Sequence, residues 1–322
     1  TLASVSADGT LRFWDAASGQ KKSSHSAHEG GAQAVIILAD RSGLATAGND
    51  GIVRLWEFDG EQRKQLTGHQ GAIYALASQP GKNHLVSAGE SGRVLLHAPE
   101  TARLVAPFQS GARPIRALSI SPSGNRLVVE GAGHAVSIWF LEHGGFYGTP
   151  MRHFSTIDAL AYAADGSLAS AGGDAAVRIT APSGQGQGWE FSGWDPELNQ
   201  SDRSHWFTAI DVSADGRYLA GVTASGKTVC WNLGPLRREK ADSSHQNWAN
   251  DVTFGPYSSH LVSASWDGSA PSAHLTSASR SHRTSLPTAC RRRTSISTVV
   301  LHSPRWQPCP GERGAPPSAP TA

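Results

Sequence analysis

Three groups of residues in this chain have types and spacings that do chemistry in other proteins. The first is Gly221-Val-Thr-Ala-Ser-Gly-Lys-Thr228, which fits the phosphate-cradling pattern G-x-x-x-x-G-K-[ST]. That chemistry needs a strand, the loop, and then a helix whose N-terminal amides face the phosphates. Here Val229-Cys-Trp-Asn232 follows at once and reads as a strand, so the match is fortuitous. The second group is a set of recurring histidines. His28, His69, His153 and His245 each stand seven residues before an apolar position, at Val35, Leu76, Leu160 and Val252. Regular histidines invite a metal or general-base reading. Their spacing instead places each in its own structural unit, away from any shared ion. The third group is the acidic residues, which are scattered and assemble into no carboxylate pair or nucleophile–base couple. No His-Glu-x-x-His, G-x-S-x-G or paired CxxC pattern occurs. The three cysteines, Cys230, Cys290 and Cys309, form neither a zinc nor a disulfide spacing. Asn199-Gln-Ser201 is a glycosylation sequon, meaningful only in a secreted chain. No catalytic, cofactor or metal site is expected.

The elements that hold these residues follow from a repeat. Related segments begin at Leu2, Leu44, Leu85, Leu127, Leu168, Leu219 and Leu261, at intervals of 42, 41, 42, 41, 51 and 42 residues. Within residues 66 to 107 the unit reads as four short strands: Ile73–Ser78, Leu85–Ala88, Arg93–Leu96 and Leu104–Ala106. Pro80-Gly81 and Ser91-Gly92 mark the turns between them. Glycine or proline interrupts every helical pattern of apolar positions, so the class is all-β. A single four-stranded unit cannot bury both of its faces, and seven can pack around an axis.

In these features the chain resembles the WD-repeat β-propeller family, over residues 1 to about 268. Trp14-Asp15 is a literal Trp-Asp pair, Trp56-Glu57 and Trp231-Asn232 are near versions, and Gly68-His69 matches the family's Gly-His opening. The resemblance implies seven four-stranded antiparallel blades, with copies near 1–27, 28–68, 69–110, 111–152, 153–203, 204–244 and 245–268. It also implies a hydrogen-bonded chain of four side chains in a blade: His before the first strand, Ser or Thr on the second, Asp in the next turn, Trp on the third. Copy two supplies all four as His28, Thr46, Asp50 and Trp56. The other copies are eroded. Copy three has Ser91 and His97 at the Asp and Trp positions, copy four keeps Trp139 with Val129 at the hydroxyl position, and copy five has Thr180 for Trp.

Both ends depart from the plan. Leu2 enters at a second strand, so copy one is expected to lack its first strand. Thr1 is not an initiator Met; no leader or run of 18 apolar residues is seen in what is present. After Gly268 the repeat stops, and the outer strands of copy seven are expected to be lost. Residues 269–322 are rich in Ser, Pro and Arg, with seven Arg and one acid, Glu312. Of the 28 basic and 26 acidic residues, that leaves 21 and 25 before residue 269, so the net +2 hides an acidic propeller. Two readings of the tail stand side by side. One is a shift of reading frame near codon 268, and translation in the other frames tests it. The other is a disordered basic tail in which Arg291-Arg-Arg-Thr-Ser295 serves as a phosphate-binding or kinase-target segment. Poor order is expected after Gly268, with an open seam in the ring.

The resemblance implies a non-catalytic scaffold that binds protein or peptide partners on its flat faces, as a module of a larger signalling or regulatory protein. No membrane partner and no nucleic-acid partner is expected, and the cytoplasm is favoured as compartment. The competing readings are an enzyme using the central channel, against which the apolar first strands argue, and nucleic-acid contact through the tail. The 51-residue interval adds about nine residues between Ser183 and Trp206, with glycine-rich flexibility and several aromatics. Trp189, Trp194, Asp195 and Trp206 are the candidate partner-binding residues. A second reading has Trp189 and Phe191 on a fourth strand, packed between blades.

Overall fold

The computed structural model describes residues 1–15, 18–110, 114–180, 189–192, 206–234, 237–239, 245–255, 260–267, 269, 272–274 and 296–301. The described residues are all strand, turn or loop, arranged as seven separate antiparallel sheets. Blade two is the most regular, with strands Ala32–Ile37, Leu44–Gly48, Val53–Trp56 and Gln62–Leu66 in sequence order. Blade three has Ile73–Ser78, Leu85–Gly89, Arg93–Ala98 and Arg103–Gln109. Blade four has Leu118–Ile120, Arg126–Gly131, Ala135–Phe140 and Phe146–Arg152. Blade five has Ile157–Tyr162, Leu168–Gly172, Ala176–Ile179 and Trp189–Ser192, and blade six has Phe207–Val212, Tyr218–Thr223, Thr228–Asn232 and Arg237–Glu239.

The burial pattern across a blade explains the residue types. The second strand, Leu44-Ala-Thr-Ala-Gly48, is buried at all five positions because both of its faces meet neighbouring blades. Small Ala residues alternate there, since a large side chain on each face would hold the sheets apart. The fourth strand, Gln62-Arg-Lys-Gln-Leu66, is largely exposed and charged. It is the outer edge of the sheet, and charge on an edge strand discourages pairing with another chain. Between blades, apolar side chains form successive clusters; Val53, Leu55 and Ala47 of blade two meet Ile73, Leu76 and Leu85 of blade three.

The first strands are innermost, each packed against the next from Ala32–Ile37 round to Ala249–Phe254. The two ends of the chain meet beside them. Blade one contains Leu2–Ser6, Thr10–Trp14 and Lys21–Ser26, and its inner edge, which the repeat pattern leaves vacant, is taken by Ile296–Leu301. That strand runs antiparallel to Leu2–Ser6 with Leu2 opposite Leu301 and Ser4 opposite Val299. It packs against the first strands of blades seven and two. The physical reason is hydrogen bonding: Leu2–Ser6 is buried throughout, and a buried strand edge without a partner strands its amides and carbonyls. Ile-Ser-Thr-Val-Val-Leu is rich in β-branched residues, a signal that the tail's overall composition obscures. Blade seven has Ala249–Phe254, His260–Ser265 and a third strand cut to Ser272–His274, with no fourth strand among the described residues. The remaining tail segments, 270–271, 275–295 and 302–322, lie outside the described residues, and with them the expectation of poor order.

Gly221–Thr228 is a hairpin. Tyr218–Thr223 pairs with Thr228–Asn232, and the Thr223 amide donates to the Lys227 carbonyl at 3.0 Å. The strand Thr228–Asn232 takes the place of the helix that would receive a phosphate, and no helix occurs among the described residues.

Candidate binding face at the mouth of the central cavity

Each first strand enters from the same face of the propeller, where the turns between second and third strands also lie. The histidine networks brace this face. In blade two, Trp56 Nε1–H donates to Thr46 Oγ1 at 2.8 Å, the Thr46 hydroxyl donates to His28 Nε2 at 2.7 Å, and His28 Nδ1–H donates to Asp50 Oδ1 at 2.9 Å. Arg54 closes the chain with an ion pair to Asp50 at 2.5 Å. All four residues proposed from the resemblance are thus brought together, and Arg54 is a fifth member that the sequence reading did not include. Its spacing, four residues after Asp50, repeats as Arg178 after Asp174 and Arg12 after Asp8, which is the signal that was available. Burial pushes His28 below its ordinary value, so it sits neutral. Burial also pushes Asp50 up, but hydrogen bonds from His28 and Arg54 outweigh that and hold it below the usual carboxylate range. Gly48 makes the network possible. A Cβ there would stand 2.5 Å from the Gly31 carbonyl and 2.6 Å from His28 Cβ.

The networks fade around the ring. Blade five keeps His153 Nε2 on Ser170 at 2.7 Å and His153 Nδ1 on Asp174 at 2.9 Å, with Arg178 on Asp174 at 2.7 Å. Blade seven keeps His245 on Ser263 at 2.8 Å and, at 3.3 Å, on Asp267. Blade three keeps only His69 on Ser87 at 2.8 Å. Its Nδ1 has no partner, nor does either ring nitrogen of the buried His97. Burial, with His97 and Arg93 nearby, pushes His69 down to about 4. In blade four Val129 offers Trp139 Nε1 no acceptor, and that nitrogen is buried without a partner. These residues lie in separate blades, and no cluster of three metal-ligating side chains occurs among the described residues.

The central cavity holds about 890 Å³ and is lined from six blades' inner strands and by Ala7 of blade one. Much of its wall is apolar, as the first strands read, although Asp211, Asp251 and Thr253 also line it, and its mouth is polar. Gln33, Tyr74, Arg116, Asp158, Thr208 and Asn250 recur at one position of the repeat and all line it. The sequence reading missed this ring because it judged each first strand by its composition; aligning position by position would have shown it. Arg116 Nε lies 3.8 Å from Asp158 Oδ1, and its guanidinium stands 5.8 Å over the Tyr74 ring. Beside them Glu130 is buried at a position where the other copies carry Ala or Val. It accepts the Ile157 amide at 3.3 Å, and burial, reinforced by Asp158, pushes it up to about 7.

On the side of blades six and seven the mouth is aromatic. Trp206 and Trp248 each immediately precede a first strand, and Trp266 sits in the turn after the second strand of blade seven. Trp206 meets Trp248 edge to face at 5.7 Å and 87°, and Trp248 stacks on Trp266 at 5.5 Å and 24°. Trp248 and Trp266 are 43% and 50% exposed, whereas Trp14, Trp56 and Trp231 on third strands are 3–5% exposed. Of the candidate contact residues, then, Trp206 lies on this face. The Trp189 backbone belongs to the outer strand of blade five, paired with Ile179, and Trp194 and Asp195 lie outside the described residues. Trp248 and Trp266 were absent from the sequence-based set. Trp266-Asp267 reads as a Trp-Asp pair in the repeat, yet it lies in a turn and not on a third strand.

The sequence profile of the family described as WD domain, G-beta repeat, matches residues 19–57, 60–97 and 238–270. The ribosome biogenesis protein WDR12 homolog of Chlamydomonas reinhardtii is 25% identical over 282 residues, 83% of this chain and 59% of that protein. The nuclear distribution protein nudF of Aspergillus niger is 23% identical over 281 residues, 80% of this chain and 62% of that protein. Telomerase protein component 1 of Mus musculus is 25% identical over 183 residues, 54% of this chain and 7% of that protein. The chain therefore spans less than two thirds of each of these relatives.

Proposed function

The chain is a WD-repeat protein, and we propose that it is a non-catalytic scaffold binding protein or peptide partners at the cavity mouth. The observation that carries this reading is the pair Trp248 and Trp266, large apolar side chains left exposed whereas Trp14, Trp56 and Trp231 are buried. Exposed aromatics beside a polar rim are the usual anchors of an interface. Backbone hydrogen bonds tie them to neighbouring turns: the Trp266 amide donates to the Trp248 carbonyl at 2.9 Å, and the Ala224 amide donates to the Trp206 carbonyl at 3.0 Å. A face that is ordered before it binds loses little conformational entropy on binding. The name of one relative, a protein component of telomerase, accords with work inside a larger assembly. The same reading makes this chain a module of a regulatory or signalling protein.

The test is a footprint. Peptides selected from a random displayed library against the full chain should protect Trp206, Trp248 and Trp266 from hydroxyl-radical oxidation. Protection confined to the outer strands, around Leu104 of blade three and Phe146 of blade four, sinks the proposal.

A further inference from the structure

We infer that the inner edge of blade one is a strand-exchange site between copies of this chain. The Ile296–Leu301 strand of one copy seats beside Leu2–Ser6 of a second copy, which returns its own strand, giving a reciprocal dimer. This goes beyond the scaffold reading and does not depend on it.

Register is the first support. In blades two, three, five, six and seven the first strand pairs with the second around one skipped residue: Gln33, Tyr74, Asp158, Thr208 and Asn250. The tail strand repeats this, with Ile296 opposite Ser6, Thr298 opposite Val5, and Ser297 skipped. In those five blades the residue before the skip is fully buried, the skipped residue lines the cavity, and the residue two beyond it is buried. The tail supplies Ile, Ser and Val at these three places. The slot therefore selects an extended segment of a definite pattern, and every copy of the chain carries one. Connection is the second support. Ala32–Ile37 follows the preceding strand after residues 27–31, Ile73–Ser78 after 67–72, and Ile157–Tyr162 after 153–156. Such short connections confine each first strand to its own ring. Ile296–Leu301 follows Ser272–His274 after residues 275–295. A connection of that length reaches up to ~70 Å, more than three times the ~20 Å radius of gyration of a compact chain of this size. Hydrogen bonding is the third support. The tail strand ends its sheet and is paired along one edge only, so a single ladder holds it. Its release leaves the buried Leu2–Ser6 edge unpaired, and only an equivalent strand restores those hydrogen bonds. The exchanged and closed forms share the same contacts and differ in how the strands are connected. A dimer made this way carries two cavity mouths, which raises avidity for a partner with two binding segments.

The experiment traps the strand with a disulfide. Ala3 and Val300 stand opposite each other in the ladder. In full chains carrying Cys290→Ser and Cys309→Ser, one variant receives Ala3→Cys and another Val300→Cys. The two are mixed at about 1 mM, the effective concentration against which a linked strand competes, loosened in mild urea, returned to buffer and oxidised. The expected product is a covalent dimer of one chain of each kind, in a fraction that rises with protein concentration. One chain carrying both substitutions should close on itself when dilute. Thr298→Pro combined with Val299→Pro should abolish both disulfides, because adjacent amides point to opposite edges and one of the two must serve the ladder. Monomer alone at every concentration, with the double-cysteine chain closing normally, overturns the inference. Failure of the double-cysteine chain to close overturns it too, since the strand then does not occupy the slot. Dimers that survive the two prolines place the contact elsewhere and also overturn it. None of these outcomes bears on peptide protection of Trp206, Trp248 and Trp266, so the scaffold reading stands or falls separately.

Discussion

Ser91→Asp should repair blade three, and the size of the repair can be worked from its neighbours. In blade two the carboxylate at this position receives His28 Nδ1–H at 2.9 Å; in blade five the distance is also 2.9 Å. In blade three His69 Nδ1 is buried and unpaired. A buried donor left unsatisfied costs about 1–3 kcal/mol, so supplying the carboxylate should stabilise the protein by about 1–2 kcal/mol near pH 7. A chain of this size gains roughly 2–4 °C in Tm per kcal/mol. The pH dependence should change too. His69 titrates at about 4 in the fold and at 6.5 when unfolded. The unfolded chain therefore binds the proton first, and stability is lost as pH falls from 6.5 towards 4. At ~1.4 kcal/mol per pH unit that loss is about 2–3 kcal/mol. A carboxylate beside the imidazole raises the folded value and shortens the window. Glu90 is adjacent and its carboxylate already accepts the Ala72 amide at 3.0 Å, so Glu90→Asn, the residue type of Asn49 in blade two, should be combined with it to remove like-charge repulsion. Urea unfolding between pH 7.5 and 4.5, with hydrogen exchange of Leu85–Gly89 as a local probe, reads both effects. An unchanged midpoint at pH 7.5 together with a parallel acid limb would refute the reasoning, because both follow from the same unpaired nitrogen.

Four further outcomes are expected. Trp56→Phe removes the indole donor to Thr46 and should cost about 1–2 kcal/mol in chemical denaturation, whereas Trp266→Phe should cost much less. Gly48→Ala should destabilise by about 1–3 kcal/mol, because its Cβ meets backbone and His28 at distances that require movement. Glu130→Gln should flatten the stability profile between pH 4.5 and 7: the native carboxyl holds its proton to about 7, so wild-type stability falls as pH rises through that window. Ending the chain after residue 295 should raise hydrogen exchange in Leu2–Ser6, whose partner strand is Ile296–Leu301; unchanged protection there would mean the edge is satisfied another way.

Much of the fold was legible because each blade is written within one repeat. Period, turn residues and the run Leu-x-Thr-Ala-Gly specify a hairpin whose partners lie fewer than fifteen residues apart, and Leu44–Gly48 pairs with Val53–Trp56 accordingly. His28 reaches Asp50 across only 22 positions, so the network too belongs to one unit. The erosion of blade three could be read the same way, since Ser91 and His97 are visible departures at known positions. What the sequence left open involves residues that share no repeat. Trp206 meets Trp248 only because blades six and seven pack side by side, and the polar ring from Gln33 to Asn250 exists only because first strands face one axis. The pairing of Leu2 with Leu301 joins opposite ends of the chain, a contact set by an unsatisfied strand edge and by no local pattern. Local hydrogen bonding and burial periodicity were thus determined by the sequence alone; which side chains share the binding face was decided by the packing of blades around the cavity.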